Sequence, residues 1–150
     1  MSPRSRSERR RDTLQRLADD VDAWVASAGG TEGAEAYLTP LSFFWDGTTL
    51  LLSTATATPT ATNLRATGRV RLGLGLTRDV VLIEGEVTRV EATDVGRDLG
   101  DAFAVKTGFD PRTLAAPYDW FRVRPLRVQA WREVDELPGR DLMRDGVWLD

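Results

Sequence analysis

Residues 40–54 read PLSFFWDGTTLLLST, two apolar runs separated by Asp46-Gly47. An Asp-Gly pair between such runs is a strong hairpin signal, because a tight two-residue turn needs left-handed backbone at its centre. The stretch therefore predicts a strand over Ala36 to Trp45, a type I′ turn, and a return strand over Thr49 to Thr54. On its C-terminal side, Ser53 to Thr62 (STATATPTAT) is rich in threonine, and Thr58-Pro59 has the form of an N-cap followed by a first-turn proline. A short helix through Ala66, closed by Gly68, is expected. Val70, Leu72, Leu74 and Leu76 then alternate with Arg71, Gly73 and Gly75, a half-buried strand whose glycines admit another backbone or a ligand. Val80 to Val90 reads as a long strand with a bulge or bend at Gly85.

Upstream, Leu14, Leu17, Ala18, Val21, Trp24, Val25 and Ala28 recur at spacings of three and four. They predict one helix over Asp12 to Ala28, capped by Thr13 and ended by Gly29-Gly30. Downstream, a helix is expected from Thr93 or Asp94 to about Val105 with Leu99 and Phe103 facing inward, then a helical turn at Asp110-Pro111. A strand follows over Trp120 to Trp131, with Pro125 at an edge or bulge, and the tail ends in a small hairpin around Asp145-Gly146. Several hairpin-joined strands with a few short helices make a mainly β chain, an antiparallel barrel or sandwich. Closure into a barrel is favoured because it leaves no exposed edge.

Composition narrows the chemistry. The chain has no cysteine and no histidine, which removes thiolate zinc sites, Cys nucleophiles, His bases and the triads built on them. Any metal would rest on carboxylates alone. The pairs Asp19/Asp20, Glu84/Glu86 and Asp98/Asp101 fall on predicted outer faces, where solvation is their role. Phosphate-loop, dinucleotide and nucleophile-elbow motifs are missing. A net charge of -3 gives no electrostatic footprint for nucleic acid. Arginine carries nearly all the basic charge, since Lys106 is the only lysine. Five of the arginines crowd residues 1–12 against Glu8 and Asp12, which reads as a solvated, disordered arm ahead of a single domain over residues 13–150. With no apolar leader core or membrane-length apolar run, the chain is expected to be cytoplasmic.

One region has the chemistry of a binding site. The helix start at Thr58-Pro59-Thr60 offers free N–H groups and the positive end of a helix dipole, and Ser53, Thr54 and Thr56 precede it. Such a place can hold a phosphate without lysine; as a bare cap it would simply face water.

The hairpin PLSFFWDGTTLLLST, the segment TPTATNLRATGRVRLGL, the strand VVLIEGEVTRV and the strand FRVRPLRVQAW resemble, in order and spacing, the pyridoxamine 5′-phosphate oxidase-like superfamily. The likeness is strongest to its small members that bind FMN or the related deazaflavin. It implies a six-stranded antiparallel Greek-key split β-barrel of the FMN-binding type, working as a homodimer with the cofactor at the subunit interface. It further implies an FMN-binding oxidoreductase that moves a hydride or electron pair between the flavin and a small organic substrate. The alternatives it leaves are a deazaflavin (coenzyme F-420) reductase and a non-catalytic flavin-binding barrel. By the same resemblance, Thr39, Pro40, Leu41 and Ser42, on a strand running to Phe43, lie along the flavin ring. Ser53 and Thr54 meet the ribityl chain and phosphate, Thr58 and Thr60 the phosphate, and Asn63 belongs to the family's Asn-Leu pair, as a binding or a structural residue. Val80 and Val81, with Arg78 just before them, reach the partner's flavin. Where the family often carries basic residues this chain has Thr60, Leu38 and Phe43, which leaves Arg65, Arg69 or Arg78 to supply the charge. The Arg and Trp motif that holds substrate in true pyridoxamine oxidases is not recognisable in the tail. Phe121 and Trp131 are expected to pack, Trp45 to pack or stack on the cofactor, and Trp120 is open to either.

Overall fold

The computed structural model describes residues 2–150. In chain order its main elements are α1 (Arg6–Asp19), β1 (Asp22–Ala28), β2 (Ala36–Trp45), β3 (Leu50–Ala55), α2 (Pro59–Thr67), β4 (Arg69–Leu76), β5 (Asp79–Val90), α3 (Ala92–Thr107), β6 (Tyr118–Trp131), β7 (Asp141–Arg144) and β8 (Val147–Trp148). All strand pairs are antiparallel. The order β3-β2-β1-β4-β5-β6 closes on itself because β6 also pairs with β3, giving a six-stranded barrel with β7 and β8 appended beside β6. β4 lies beside β1 after three consecutive strands, the Greek-key arrangement.

Alternation fills the barrel. Val25, Leu72, Ile83 and Val128 lie on neighbouring strands and point inward with Phe43, Leu50, Leu52, Phe121 and Val123. The run Leu50-Leu51-Leu52 is apolar on both faces for a reason. Leu50 and Leu52 enter the barrel, while Leu51 packs outside it with Phe103, Trp120 and Val95 beneath α3. Trp120 meets Phe103 edge to face at 5.2 Å, so it belongs to this second cluster.

The threonine-rich segment folds as its caps predict: the Thr58 side chain accepts from the Ala61 N–H, and Gly68 ends α2 in the left-handed region. The β5–β6 ladder shifts register between Glu84 and Gly85, but the extra residue is Leu126 of β6, next to Pro125, rather than a residue of β5. The tail turns at Asp145 (φ 51°) and Gly146 (φ 78°), both left-handed as a type I′ turn needs. The Asp46-Gly47 hairpin forms, but with a different turn. Only Gly47 is left-handed there, and the Asp46 carboxylate closes the turn by accepting from the Thr48 and Thr49 N–H groups at 2.9 and 2.7 Å. The N-cap position of α3 is Glu91, whose side chain makes no capping hydrogen bond, rather than Thr93 or Asp94, and Gly96 interrupts the helix with non-helical backbone.

The N-terminal expectation needs the largest correction. The helix occupies Arg6–Asp19, and residues 22–28 are strand β1 instead of its continuation. Inward positions of β1 are Ala23, Val25 and Ser27, which alternate as well as they fit a helical stripe, and pairing on both sides with β2 and β4 decides between the two periods. Nor are residues 2–12 a solvated arm. Ser5 and Glu8 form a capping box, Thr13 is buried inside the helix, and the Arg9 guanidinium donates to the carbonyls of Ala130, Glu136 and Pro138. Met1 lies outside the described residues. Gly75 admits the neighbouring helix: an added Cβ there would overlap the Arg16 guanidinium and the Asp79 carbonyl.

Candidate functional site

The site begins where β2 changes partners. Its ladder with β3 comprises Phe43/Leu52, Phe44/Leu51 and Trp45/Leu50, whereas residues 36–42 pair with β1 alone. Ser53 to Ala55 continue along β6. The two strands therefore part beyond Phe43, and Thr39 to Ser42 keep one edge without a strand among the described residues. Such an edge presents a row of N–H and C=O groups to whatever lies beside it. Ser42 also donates its hydroxyl to Asp22 Oδ1 at 2.6 Å.

At the mouth of this parting stands the start of α2. The Thr58 hydroxyl donates to the Ala55 carbonyl at 2.9 Å and lies 3.3 Å from the Thr54 hydroxyl. Ser53 is committed elsewhere, donating to the Asp119 carbonyl at 2.9 Å. The Thr60 side chain is 1% exposed, and its hydroxyl has no hydrogen-bond partner. Pro59 has no N–H and the Ala61 and Thr62 amides are taken by Thr58, so the helix start adds the Thr60 N–H and a positive dipole end. Asn63 donates to the Ser27 hydroxyl at 3.2 Å and so ties α2 to β1.

Sequence reasoning missed the residue that organises this corner. Asp119, 5% exposed at the start of β6, accepts from Arg65 Nη1 at 2.5 Å, from Arg89 Nε at 3.3 Å and from the Thr56 hydroxyl at 3.2 Å. Arg65 also donates to the Thr56 carbonyl at 3.1 Å. Its side chain thus brings a guanidinium back from the last turn of α2 to the loop that precedes the helix. A lone acid between Tyr118 and Trp120 is the only signal the sequence offers, and it does not reveal the partners. Lys106 is occupied elsewhere, donating to the carbonyls of Leu17 and Phe43 at 3.1 and 3.2 Å, and burial there holds its pKa below the usual lysine range. Arg69 follows the C-cap of the nine-residue α2, about 13 Å along the axis from Thr58.

The remaining expected residues lie apart. Val80 pairs with Trp131, at one end of β6, whereas Ser53 pairs with Trp120, at the other. Ten strand residues lie between those partners, roughly 30 Å along a curved strand. Val81 points into the barrel, and Arg78 is exposed in the turn between β4 and β5. Within one chain, Arg78 and Val80 do not meet the threonine cluster. No group of three metal-ligating side chains occurs among the described residues.

Comparison with known proteins agrees with this architecture. The profile of the pyridoxamine 5′-phosphate oxidase family matches residues 14–132. A search of curated proteins found no match. Among solved structures, Campylobacter jejuni ChuZ has a TM-score of 0.75 at 9% identity, over 97% of this chain and 63% of that one. A FAD-binding protein from Mesorhizobium loti has a TM-score of 0.62 at 18% identity, over 79% and 89%. An F-420 reductase has a TM-score of 0.62 at 16% identity, over 76% and 93%. At these identities the likenesses show the fold. The family profile spans most of the chain, and with it the parted strands and the capped helix, so this chain belongs to the pyridoxamine 5′-phosphate oxidase family.

Proposed function

We propose that the chain is a flavin-dependent oxidoreductase, a homodimer that binds FMN where β2 parts from β3 and acts on a small organic substrate. The observation that carries this reading is the unpaired edge of Thr39 to Ser42 beside the N-terminus of α2. The residues present fit a flavin mononucleotide. The free backbone edge suits the rim of a flat heterocycle. The Thr54 hydroxyl, the unpartnered Thr60 hydroxyl and the Thr60 N–H suit a phosphate, with Thr58 fixing the helix start that presents them. Arg65, steadied by Asp119, brings positive charge to the loop around Thr56 in place of the basic side chain that Thr60 does not provide. Arg78 and Val80, some 30 Å away along β6, would complete the partner's site, which is why a second copy is required.

A bound flavin would supply the hydride or electron-pair chemistry that a chain without cysteine or histidine lacks. The chain's own work is to hold the ring at the β2 edge and the phosphate at α2. A second reading on the same geometry is the deazaflavin coenzyme, favoured by the largely neutral phosphate donors and by the similarity to an F-420 reductase. Titrating the purified protein with FMN and with the deazaflavin separates the two. A yellow FMN complex supports the first reading, selective binding of deazaflavin supports the second, and a protein that binds neither overturns both.

A further inference from the structure

The barrel parts a second time, between β1 and β4. β1 pairs with β4 only at Trp24/Gly73, Val25/Leu72 and Ala26/Arg71, so residues 27–29 diverge from Arg69 and Val70. A pocket of about 770 Å³ opens between them. It lies toward the C-terminal end of α2, with Thr67 on its wall, so it is separate from the threonine cluster at the other end of that helix.

The floor and the rim of this pocket differ in character. The apolar lining that serves as its floor comes from Ala26, Ala28, Ala36, Val70, Gly85 and Leu126, with no side chain longer than leucine. The rim is charged: of its acids, Glu84 and Asp141 are already paired, and Asp145 is exposed in the β7–β8 turn. Glu84 is paired with Arg71 at 2.5 Å and Arg127 at 3.7 Å. Asp141 accepts from Arg144 and Gln129 at 2.8 Å each, and Arg127 approaches it at 3.1 Å. Those hydrogen bonds outweigh the opposing effect of burial and lower the Asp141 pKa to about 2. Arg69 is exposed on the same wall with no carboxylate within 4.0 Å among the described residues. Arg69, Arg71, Arg127 and Arg144 against Glu84, Asp141 and Asp145 leave one positive charge in surplus, and the unpaired Arg69 guanidinium, whose forked donors match a single carboxylate, is the group free to use it.

We propose that this pocket binds a planar aromatic monocarboxylate, its ring on the small-residue floor and its carboxylate paired with Arg69. Apolar area removed from water supplies most of the affinity and the guanidinium fixes the orientation. A phosphate dianion is disfavoured because every other guanidinium at the rim already serves an acid. The site does not depend on the flavin assignment.

The test titrates full-length protein with 2-naphthoate, following amide shifts by heteronuclear NMR. Saturable shifts around Ala28, Val70 and Gly85 are expected. Arg69→Gln should weaken binding about tenfold or more, Arg69→Lys should recover part of the loss, and 2-naphthalenemethanol, the neutral analogue, should bind as weakly to wild type as naphthoate does to Arg69→Gln. FMN binding should be the same in wild type and Arg69→Gln, which keeps this site distinct from the cofactor site. Because Arg69 is exposed, the variant is expected to retain the wild-type melting curve, and Ala28→Trp, which fills the floor, gives an independent block. Equal naphthoate affinity in wild type and Arg69→Gln, shifts confined to the outer face around Trp24 and Leu82, or tighter binding of phenyl phosphate than of naphthoate would each overturn the proposal.

Discussion

Asp119 is the residue on which the candidate site turns, because three donors from separate elements converge on its buried carboxylate. Replacing it with Asn preserves shape but removes the charge that Arg65 and Arg89 share. Both arginines are partly exposed, so water recovers some of the loss. Asp119→Asn is expected to cost about 1–3 kcal/mol in urea unfolding. A double-mutant cycle with Arg65→Met should show coupling of about 1 kcal/mol, since the pair shares one hydrogen-bonded contact; additive losses would mean that Arg65 does not depend on Asp119. Glu136 makes a similar argument through pH. Hydrogen bonding from the Arg4 guanidinium, with the Arg4 and Arg132 N–H groups, outweighs burial and lowers its pKa to about 2 from an ordinary 4.5. A carboxylate with a depressed folded pKa stabilises above its unfolded value and loses that contribution as pH falls through the folded one. Glu136→Gln should therefore be about 2 kcal/mol less stable than wild type at pH 7. The gap should narrow between pH 4.5 and pH 2, and urea midpoints across that range check it.

At the scale of elements, α1 separates a solvated arm from a structural one by experiment. Deleting residues 2–12 would leave an arm's owner unchanged. Here it removes the Ser5 cap, the Arg4–Glu136 pair and the three carbonyl contacts of Arg9. A loss of about 3 kcal/mol or more is expected in urea unfolding, given about 1 for the cap and 1.5 to 3 for each charged hydrogen-bonded group. Ser5 and Glu8 stand at capping-box spacing, so the helix start was legible in the sequence, although the arginines around it suggested solvent. The α2 caps and the Asp145-Gly146 turn were legible too, because each depends on a few adjacent residues. β1 was not, since its small inward residues satisfy two periods and only the ladders to β2 and β4 choose between them. The same limit applies to the site. Thr54, Thr58 and Thr60 announce themselves by local chemistry, whereas the meeting of Asp119 with Arg65 depends on β6 pairing with β3 and on α2 lying against the barrel, and joins residues more than fifty apart.

The whole molecule is where the two halves of the expected site must be reconciled, and its outer surface suggests how. Pro40, Trp24, Gly73 and Leu82 lie in register across β2, β1, β4 and β5 and share the outward face. Trp24 is 54% exposed, Leu38 61% and Leu82 39%. Isolated exposed apolar groups are ordinary, but a row aligned across four strands is the kind of patch that a partner covers. A two-fold dimer would place the same row on both copies, and a stable one buries about 1,200–2,000 Å² in total. If that face forms the dimer, light scattering should give about twice 16.6 kDa. Arginines at Trp24 and Leu82 together should then yield monomers with an unchanged far-UV spectrum, because both side chains already point outward. Such monomers should also lose FMN affinity, since neither chain alone brings Arg78 and Val80 to the threonine cluster. Monomers that bind FMN as tightly as wild type would show that one chain completes its own site, and the role assigned to the β4–β5 turn would fall with the dimer.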